Sequence, residues 1–297
     1  MSAVIQIQRA GPLTSIQDAG RFGMLAHGIS ASGPMDRGGY AAAGALAGAG
    51  LGGVEFTMAG LEIFVASGRC RVGFAGGHFV AHHNGRAVDW FGAVALEAGD
   101  RLAVTPGAWG NYGYLRFDGD IVAQRMMGSI ATSSRAGLGG LEGRALRAGD
   151  VIALEGSGGA VSQPAPLEPG AGPIRFVWGL HADLFPQAAR QGFVEGAFAI
   201  TTRMDRMGVR LDDIGEVFGG ASSLSLVSDA IVPGDIQILG DGTPIVLMRD
   251  HQPTGGYPRI ATVITADLDR FAQMRAGTAV AFEPVGVEHA QALLRSG

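Results

Sequence analysis

Short apolar runs, each closed by glycine, asparagine or aspartate, fill the chain between residues 54 and 154. They cover residues 54–58, 61–66, 71–75, 94–96, 102–104, 112–117 and 151–154. Strand-length runs at this spacing are typical of all-β barrels and sandwiches. The 50 glycines follow no triplet period, which excludes a collagen-like chain and suits many tight turns. The sequence therefore predicts a mainly β fold with short helices.

A glycine- and proline-rich segment at residues 157–172 has the composition of a linker. We therefore expect one domain over residues 1–160 and a second over residues 173–297. The turn at residues 98–100, Ala-Gly-Asp, recurs at 148–150 and, as Pro-Gly-Asp, at 233–235, which suggests related β units in both halves. Short helices are expected at residues 40–49, 182–191, 267–274 and 287–295.

The lack of lysine excludes several chemistries. All 22 basic residues are arginine, so this chain offers no P-loop lysine, no Schiff-base lysine and no attachment point for covalent biotin. The net charge of −5 argues against nucleic acid as a partner, since nucleic acid binding needs a basic surface.

The sequence also favours a cytoplasmic protein without a membrane segment. No apolar stretch reaches the ~18 residues that span a bilayer, and residues 1–9 alternate like a strand rather than a signal peptide. The single Cys70 permits no internal disulfide, which fits a reducing compartment.

The densest group of reactive side chains lies at residues 250–258, between apolar runs at 244–248 and 260–264. Flanking strands of this kind predict a rigidly anchored loop, where binding groups tend to sit. The segment carries Asp250, His251, Gln252, Thr254, Gly255, Gly256 and Tyr257. A turn rich in polar residues is the alternative interpretation, since Gly-Gly and Tyr-Pro punctuate many chains.

Two N-terminal segments are further candidates. Gln17 and Asp18 precede Arg21, which glycines bracket, so Asp18 and Arg21 either pair with each other or face a ligand. Asp36 is the predicted N-cap of the first helix. Because helix N-termini attract anions, the preceding Ser32 and Gly33 are candidates for holding a carboxylate or phosphate.

Two arginine- and glycine-rich segments are ambiguous. Arg203, Arg206 and Arg210 suggest an anion-binding wall, or surface arginines paired with nearby aspartates. The glycine-rich residues 128–140 are either a backbone nest for an anion or an ordinary loop.

The histidines do not predict a metal site. His82 and His83 are adjacent and point to opposite faces of a strand, and no carboxylate lies near them before Asp89.

Six segments resemble, in order, the motifs of one family. They are residues 11–21, 32–36, 128–144, 206–211, 234–244 and 250–258. The chain is thereby identified as similar to the biotin-dependent carboxyltransferase, or allophanate hydrolase subunit 2, family. Its members include the C subunit of 5-oxoprolinase, the antagonist of the Kip sporulation-kinase inhibitor and the carboxyltransferase half of urea carboxylase. The chain departs from the family pattern at residues 43–50, 76–78 and 179–180.

The resemblance implies two cyclophilin-like β-barrel domains. It also implies two partners, which are a small Kip-inhibitor-like subunit, homologous to that inhibitor, and an A subunit of the lactam-utilisation type. The implied reaction is the ATP-driven opening of 5-oxo-L-proline to L-glutamate. ATP is used by the complex, and nothing in this sequence resembles a nucleotide fingerprint.

The matching motifs point to site residues. Asp250 or His251 is expected to act as acid or base, because histidine titrates nearest neutrality. Arg21 and Arg206 are expected to stabilise negative charge on a lactam carbonyl. The expected substrate-binding residues are Gln17, Asp18, Ser32, Gly33, Asp36, Arg210, Gln252, Thr254, Gly255, Gly256 and Tyr257. The segments around Asp18, Arg206 and Asp250 are expected to act jointly.

Two alternatives to a 5-oxoprolinase subunit stay open. One is the carboxyltransferase half of a biotin-dependent urea or amide carboxylase, which would need its carrier and ATP-binding portions from other chains. The other is a non-catalytic protein that sequesters a Kip-type inhibitor through a large interface.

Overall fold

The computed structural model describes residues 2–219 and 226–296. The chain forms two compact units. Unit 1 comprises Met1–Gly23 and Ala31–Pro169, and unit 2 comprises Met24–Ser30 and Gly170–Gly297. Both units consist mainly of β-strands with short helices, and their sheets curl into half-barrels and nearly closed barrels. The mainly β prediction is therefore confirmed.

Unit 1 contains one helix and eleven strands among its described residues. They are β1 (Ala3–Ala10), β2 (Ser15–Gln17), α1 (Arg37–Ala47), β3 (Gly53–Thr57), β4 (Leu61–Gly76), β5 (Phe79–His83), β6 (Arg86–Val88), β7 (Gly92–Glu97), β8 (Arg101–Pro106), β9 (Tyr112–Phe117), β10 (Asp120–Ile121) and β11 (Val151–Glu155). The main strand order is β10-β11-β1-β4-β8-β5-β6, and a branch joins β2, β3 and β9 to β4, which also pairs with β7.

Strand β4 is the longest element and belongs to both parts of this sheet. Residues 61–68 pair with β1, and residues 61–64 also pair with β8. Residues 69–76 pair with β7 and β9 instead. The apolar runs predicted as two strands at 61–66 and 71–75 are thus one strand. Local spacing suggested a break at Gly68, but continuous pairing carries the strand through it.

Helix α1 begins directly after its predicted N-cap and ends at Ala47, two residues before the predicted end at residue 49. Asp36 is the N-cap, and its carboxylate accepts a hydrogen bond from the Gly39 N–H at 2.7 Å. Gly48, in the left-handed conformation with φ of 62°, ends the helix. The helix lies against β4 at Gly73, where a Cβ atom would come within 2.3 Å of the Ala43 carbonyl oxygen.

Unit 2 contains three α-helices and ten strands among its described residues. They are β12 (Ile174–Trp178), α2 (Gln187–Glu195), β13 (Phe198–Met204), β14 (Gly208–Asp213), β15 (Asp229–Ala230), β16 (Asp235–Ile238), β17 (Pro244–Leu247), β18 (Thr254–Gly255), β19 (Arg259–Val263), α3 (Thr265–Ala272), β20 (Ala279–Val280), β21 (Phe282–Pro284) and α4 (Val287–Ser296). The helix predicted at 182–191 is a short 3-10 turn, Ala182–Leu184, followed by α2, because Pro186 cannot lie inside a helix.

The main sheet of unit 2 has the order β20-β13-β14-β17-β16-β19-β12-β21. Its core is aromatic: Phe193 stacks on Phe282 with ring centroids 4.7 Å apart, and Phe176 meets Phe193 edge-on. A separate two-stranded ladder joins β15 to β18, which places Thr254 and Gly255 opposite Ala230 and Asp229.

Within the described ranges, none of the helices combines the length and apolar character that crossing a membrane requires.

Candidate functional site

The segment 250–258 connects β17 to β19, as the sequence predicts, and contains the two-residue strand β18. Its first two side chains, Asp250 and His251, are both only 3% exposed. Gln252 and Thr254 are exposed, and the Tyr257 side chain is 45% exposed. The loop therefore combines a buried ionisable pair of residues with a solvent-facing rim of amide, hydroxyl and phenol groups.

Asp250 forms a buried, two-pronged ion pair with Arg206. The carboxylate accepts from Arg206 Nε at 2.8 Å and from Arg206 Nη2 at 3.1 Å. The Asp250 N–H also donates to the Arg206 carbonyl at 2.7 Å. Proton transfer by Asp250 would require this pair to break, because both carboxylate oxygens are engaged. The geometry makes the pair an anchor for the start of the loop.

His251 is held in one tautomer by its neighbour. Its Nδ1 lies 2.5 Å from the Gln252 carbonyl oxygen, which accepts but cannot donate, so Nδ1 carries the proton. In the neutral ring Nε2 is then the lone-pair acceptor, and it has no hydrogen-bond partner among the described residues. Burial lowers the pKa of His251, against the opposing effects of the Gln252 carbonyl, Asp235 and Asp250. A neutral imidazole with Nε2 available is the form that a general base needs.

Two side chains of β16, Gln237 and Asp235, contact the loop and the following strand β19, respectively, and neither was assigned an individual role from the sequence. The amide nitrogen of Gln237 lies 3.5 Å from the Tyr257 carbonyl oxygen, and a Cβ atom on Gly255 would lie 2.5 Å from the same nitrogen. The buried Asp235 accepts from the Thr262 hydroxyl at 2.7 Å. Asp235 is a charged residue at the start of a mostly apolar strand, and this pattern could have indicated its buried role.

In unit 1, Gln17 connects two loops. Its amide oxygen accepts from the Gly33 N–H at 3.1 Å, and its amide nitrogen donates to the Thr132 carbonyl at 3.2 Å and to the Ser15 hydroxyl at 2.9 Å. The Tyr40 hydroxyl donates to the Gln17 carbonyl at 3.1 Å. All polar atoms of the Gln17 side chain are thus engaged in holding the protein together.

Asp18 has a comparable structural role. One carboxylate oxygen accepts from the Gly20 N–H at 2.9 Å and the Ser129 hydroxyl at 2.6 Å, and the other accepts from the Ile130 N–H at 2.8 Å. Pairing with Arg21 was one of the two alternatives predicted for Asp18, and Arg21 is not among these three donors. Arg21, only 1% exposed, donates to the Ala131 carbonyl oxygen instead.

Ser32 and Gly33 form a tight turn beside this network. Both have positive φ, 56° for Ser32 and 84° for Gly33. A non-glycine residue in this region is strained and is enriched at functional sites. The Ser32 residue is 1% exposed, and its hydroxyl has no hydrogen-bond partner within the part of the chain that the structure describes.

The region before α1 already contains two carboxylates. Besides the N-cap Asp36, the fully buried Glu55 accepts from the Met35 N–H at 2.8 Å and the Tyr114 hydroxyl at 2.9 Å. Burial, together with Glu55 and Asp36, raises the pKa of Tyr114 well above its usual value. A bound anion would meet these charges, which disfavours the predicted carboxylate or phosphate site. The sequence patterns did not single out Glu55. An acidic residue between the apolar Val54 and Phe56 nevertheless indicates a buried carboxylate that needs a polar partner.

The three arginines of the predicted anion-binding wall lie in three different environments. Arg206 is buried against Asp250, and Arg210 is partly buried on β14. Arg203 is exposed and lines a pocket of about 330 Å³ whose other charged groups are all acidic. These are Asp212, Asp213, Glu216 and Asp241. The surroundings of Arg203 therefore do not suit an anion.

The glycine-rich segment after β10 folds into successive tight turns rather than an open nest. The N–H groups of Ser129, Ser133 and Gly140 donate to the carbonyls of Met126, Leu138 and Ile130. Because its donors are used internally, this segment favours the ordinary-loop interpretation.

Comparison with known proteins decides the family. The family model of the carboxyltransferase domain, subdomains A and B, matches residues 27–284. The chain belongs to this carboxyltransferase-domain family. The predicted resemblance is thereby confirmed.

Relatives within the carboxyltransferase-domain family cover nearly the whole chain. The C subunit of the 5-oxoprolinase of Escherichia coli (strain K12) is 32% identical over 298 residues, 97% of this chain and 93% of that protein. The urea amidolyase of Lachancea kluyveri is 27% identical over 321 residues, 98% of this chain but 17% of that protein. The crystal structure of K. lactis urea amidolyase matches the fold with a TM-score of 0.87 at 24% identity, covering 99% of this chain and 19% of that one.

Proposed function

We propose that this protein belongs to an ATP-dependent 5-oxoprolinase-type complex that opens 5-oxo-L-proline to L-glutamate. The 32% identity to the 5-oxoprolinase C subunit, over 93% of that protein, supports this assignment. The observation that carries it is His251, a buried imidazole whose Nδ1 proton is held by the Gln252 carbonyl.

His251 is the proposed acid–base residue of the complex. Opening a lactam breaks the carbonyl carbon–nitrogen bond, adds a hydroxyl group from water to the carbon and adds a proton to the nitrogen. We assign Nε2 of His251 to accept the proton of the attacking water and then to donate it to the leaving nitrogen. The lowered pKa of His251 keeps the ring neutral, and so able to accept a proton, near neutral pH.

The solvent-facing rim of the loop is the proposed substrate-contacting surface. Gln252, Thr254 and Tyr257 present their side chains to solvent. The glycines at 255 and 256 leave backbone accessible beside them, where an N–H group is suited to a developing oxyanion.

The geometry changes the roles that we propose for four of the expected residues. Arg206 and Asp250 neutralise each other, so we assign them to holding the loop rather than to proton transfer or oxyanion binding. Gln17 and Asp18 are likewise assigned to setting the geometry of the unit 1 loops. Ser32 is the proposed ligand-contacting group of unit 1, because its buried hydroxyl has no partner among the described residues.

The proposed complex is cytoplasmic and contains two further chains. One is a small Kip-inhibitor-like subunit, and the other is an A subunit of the lactam-utilisation type. We assign ATP binding to one of these partners, since this chain has no lysine with which to build a P-loop. The complex would use no biotin attached to this chain, for the same reason.

Reconstitution tests the proposal. The three purified chains are mixed with ATP and 5-oxo-L-proline, and glutamate and ADP are measured, with each chain omitted in turn. We expect turnover only with all three chains. Glutamate formation that is unaffected by omitting this chain would refute the assignment.

A second function is favoured by the similarity to urea amidolyase, which extends over 98% of this chain. In that case the protein is the carboxyltransferase half of a biotin-dependent urea or amide carboxylase. The same mixture, given urea, bicarbonate, ATP and a separate biotinylated carrier with its carboxylase, distinguishes the two. Carboxylation of urea without glutamate formation from 5-oxo-L-proline would favour the second function.

A further inference from the structure

The solvent-facing rim of the loop, which includes Thr254 and Tyr257, is attached to a two-stranded ladder of only two residues per strand. Strand β18, which contains Thr254 and Gly255, pairs only with the two-residue strand β15 among the described residues. Two further backbone bonds extend this ladder, from Ile231 N–H to the Pro253 carbonyl at 3.3 Å and from Leu226 N–H to the Gly256 carbonyl at 2.9 Å. A two-stranded ribbon of this length is not stable alone. Something else must therefore hold β15 in place.

Arg259 supplies that anchor. It is the first residue of β19 and only 6% exposed. Its Nη2 donates to the Asp229 carboxylate at 2.6 Å, and its Nη1 donates to the Ala230 carbonyl at 2.9 Å. Both residues of β15 are thus bound by one guanidinium group.

The same guanidinium reaches the main sheet. Arg259 Nη1 lies 3.3 Å from the carboxylate of Asp235 on β16. Asp235 is itself 1% exposed and bound by the Val232 N–H at 3.0 Å. One arginine therefore links β15 to the rigid strand β16.

We propose that Arg259 is a positioning residue, which fixes β15 and through it the substrate-contacting residues Thr254 to Tyr257. This inference rests on the proposed function of the same loop. Within the described part of the chain, the hydrogen bonds of the Arg259 side chain go to Asp229, Ala230 and Asp235, and not to the side chains of the rim or to His251. Its effect on the reaction is therefore exerted through the order of the rim.

The planar fork of arginine is essential to this role. Three acceptors, two on β15 and one on β16, are bound by two terminal nitrogens of fixed relative orientation, which the single ammonium group of lysine cannot reproduce. Arg259→Lys keeps the positive charge that balances Asp235, so it isolates the geometry from the charge. Asp229→Asn is a second variant at a residue whose side chain is 54% exposed, and it weakens only one of the three contacts.

A matched control lies in the same unit. Arg175 pairs with Asp267 on α3, from Nε at 3.0 Å and from Nη2 at 2.5 Å, and contacts no residue of the loop among the described residues. Arg175→Lys therefore disrupts a partly buried arginine–aspartate pair, in which the Arg175 side chain is 29% and that of Asp267 3% exposed, without disturbing β15 or β18.

The experiment combines hydrogen exchange of the full-length chain with kinetics of the reconstituted complex. For Arg259→Lys we expect amide exchange of peptides covering residues 226–231 and 253–257 to become about tenfold faster, because the ladder opens more often. The KM for 5-oxo-L-proline should rise about tenfold while kcat changes less than about threefold, since the lost contacts orient the binding rim. Asp229→Asn should raise KM about threefold.

The outcomes separate this inference from the proposed function. Exchange in the two peptides that is unchanged in both variants, or equally fast in Arg175→Lys, overturns the role of Arg259. So does a fall in kcat at constant KM. If the wild-type complex turns over no 5-oxo-L-proline, the proposed function fails, and the exchange measurements still decide whether Arg259 holds the loop.

Discussion

The Nδ1 atom of His251 lies 2.5 Å from the carbonyl oxygen of Gln252, its own neighbour in sequence. This contact fixes both the tautomer and the plane of the ring, so that Nε2 points away as the acceptor. The ring needs no carboxylate partner to be oriented, unlike the histidine of a Ser-His-Asp triad. Orientation therefore comes from the backbone at the start of the loop, which the Arg206–Asp250 pair holds.

Replacing His251 tests its proposed chemical role. We expect His251→Gln to lower kcat of the reconstituted complex by about 10²- to 10⁴-fold, the usual contribution of acid–base catalysis. The amide preserves much of the shape, so assembly with the partner chains, measured by size-exclusion chromatography, should be unchanged. His289→Gln, at an exposed position of α4, is the matched control and should retain full activity. Full activity of His251→Gln would exclude the proposed role.

The pH dependence follows from the lowered pKa of His251. Because the base must be neutral, kcat/KM should fall on the acid side with a midpoint below about pH 6.5, the ordinary value for histidine. A pH–rate profile of the wild-type complex measures this midpoint. A midpoint at or above the ordinary value would contradict the assignment.

Stability should depend on the same group. Since the folded pKa lies below the unfolded one, the unfolded chain binds the proton more readily. The stabilising contribution is fully present above about pH 6.5 and is lost as pH falls through the folded pKa. The free energy of unfolding, measured by urea denaturation at several pH values between neutral and acid, should change with pH at a different slope in the wild type than in His251→Gln. Identical slopes would argue that His251 titrates normally.

The Arg206–Asp250 pair should behave as a buried unit. Arg206→Met leaves a buried carboxylate unpaired, and we expect it to reduce the free energy of unfolding by about 3–5 kcal/mol. The double variant R206M/D250L should recover at least about half of that loss, because it removes both charges. Arg190→Met breaks the exposed pair with Asp183 and should cost less than about 1 kcal/mol. Additive effects of the two buried substitutions in a double-mutant cycle would show that the residues do not interact.

Two glycines of unit 1 provide a test of the tight turn at Ser32 and Gly33. A Cβ atom on Gly33 would lie 2.9 Å from the Ala19 carbonyl oxygen, whereas one on Gly23 would meet nothing within 4 Å. Both residues have positive φ, so both alanine variants carry the cost of about 1–2 kcal/mol for a left-handed conformation. We expect Gly33→Ala to lose about 1–3 kcal/mol more than Gly23→Ala, measured by urea unfolding. Equal losses would mean that the turn adjusts freely.

The sequence was sufficient for features that depend on neighbouring residues. Asp36 as an N-cap and the strands on either side of residues 250–258 follow from local patterns. The contacts that decide the roles of the site residues are not local. Arg206 meets Asp250 across 44 residues, and Gln17 meets Thr132 across 115. No spacing rule connects such partners, because the sheet pairing brings them together.

Several of the expected site residues make their polar contacts within the protein itself. Asp18 was expected to face Arg21 or a ligand, but three hydrogen bonds from Gly20, Ser129 and Ile130 occupy its carboxylate. Polar residue types indicate that a partner is needed and do not say whether that partner is a ligand or the protein's own backbone. The joint action of the segments around Asp18, Arg206 and Asp250 stays a prediction.

Strand β4 belongs to both parts of the unit 1 sheet, and this limits where the chain can gain or lose residues. Inserting one residue before Gly68 would shift its pairing with β1 and β8, and would turn the buried side chains of that stretch towards solvent. An insertion after Gly68 would do the same to the pairing with β7 and β9. We therefore expect natural insertions and deletions in this family to spare β4 and to collect in connections such as residues 157–172. Engineered fusions and tags inserted within the chain should be placed there for the same reason.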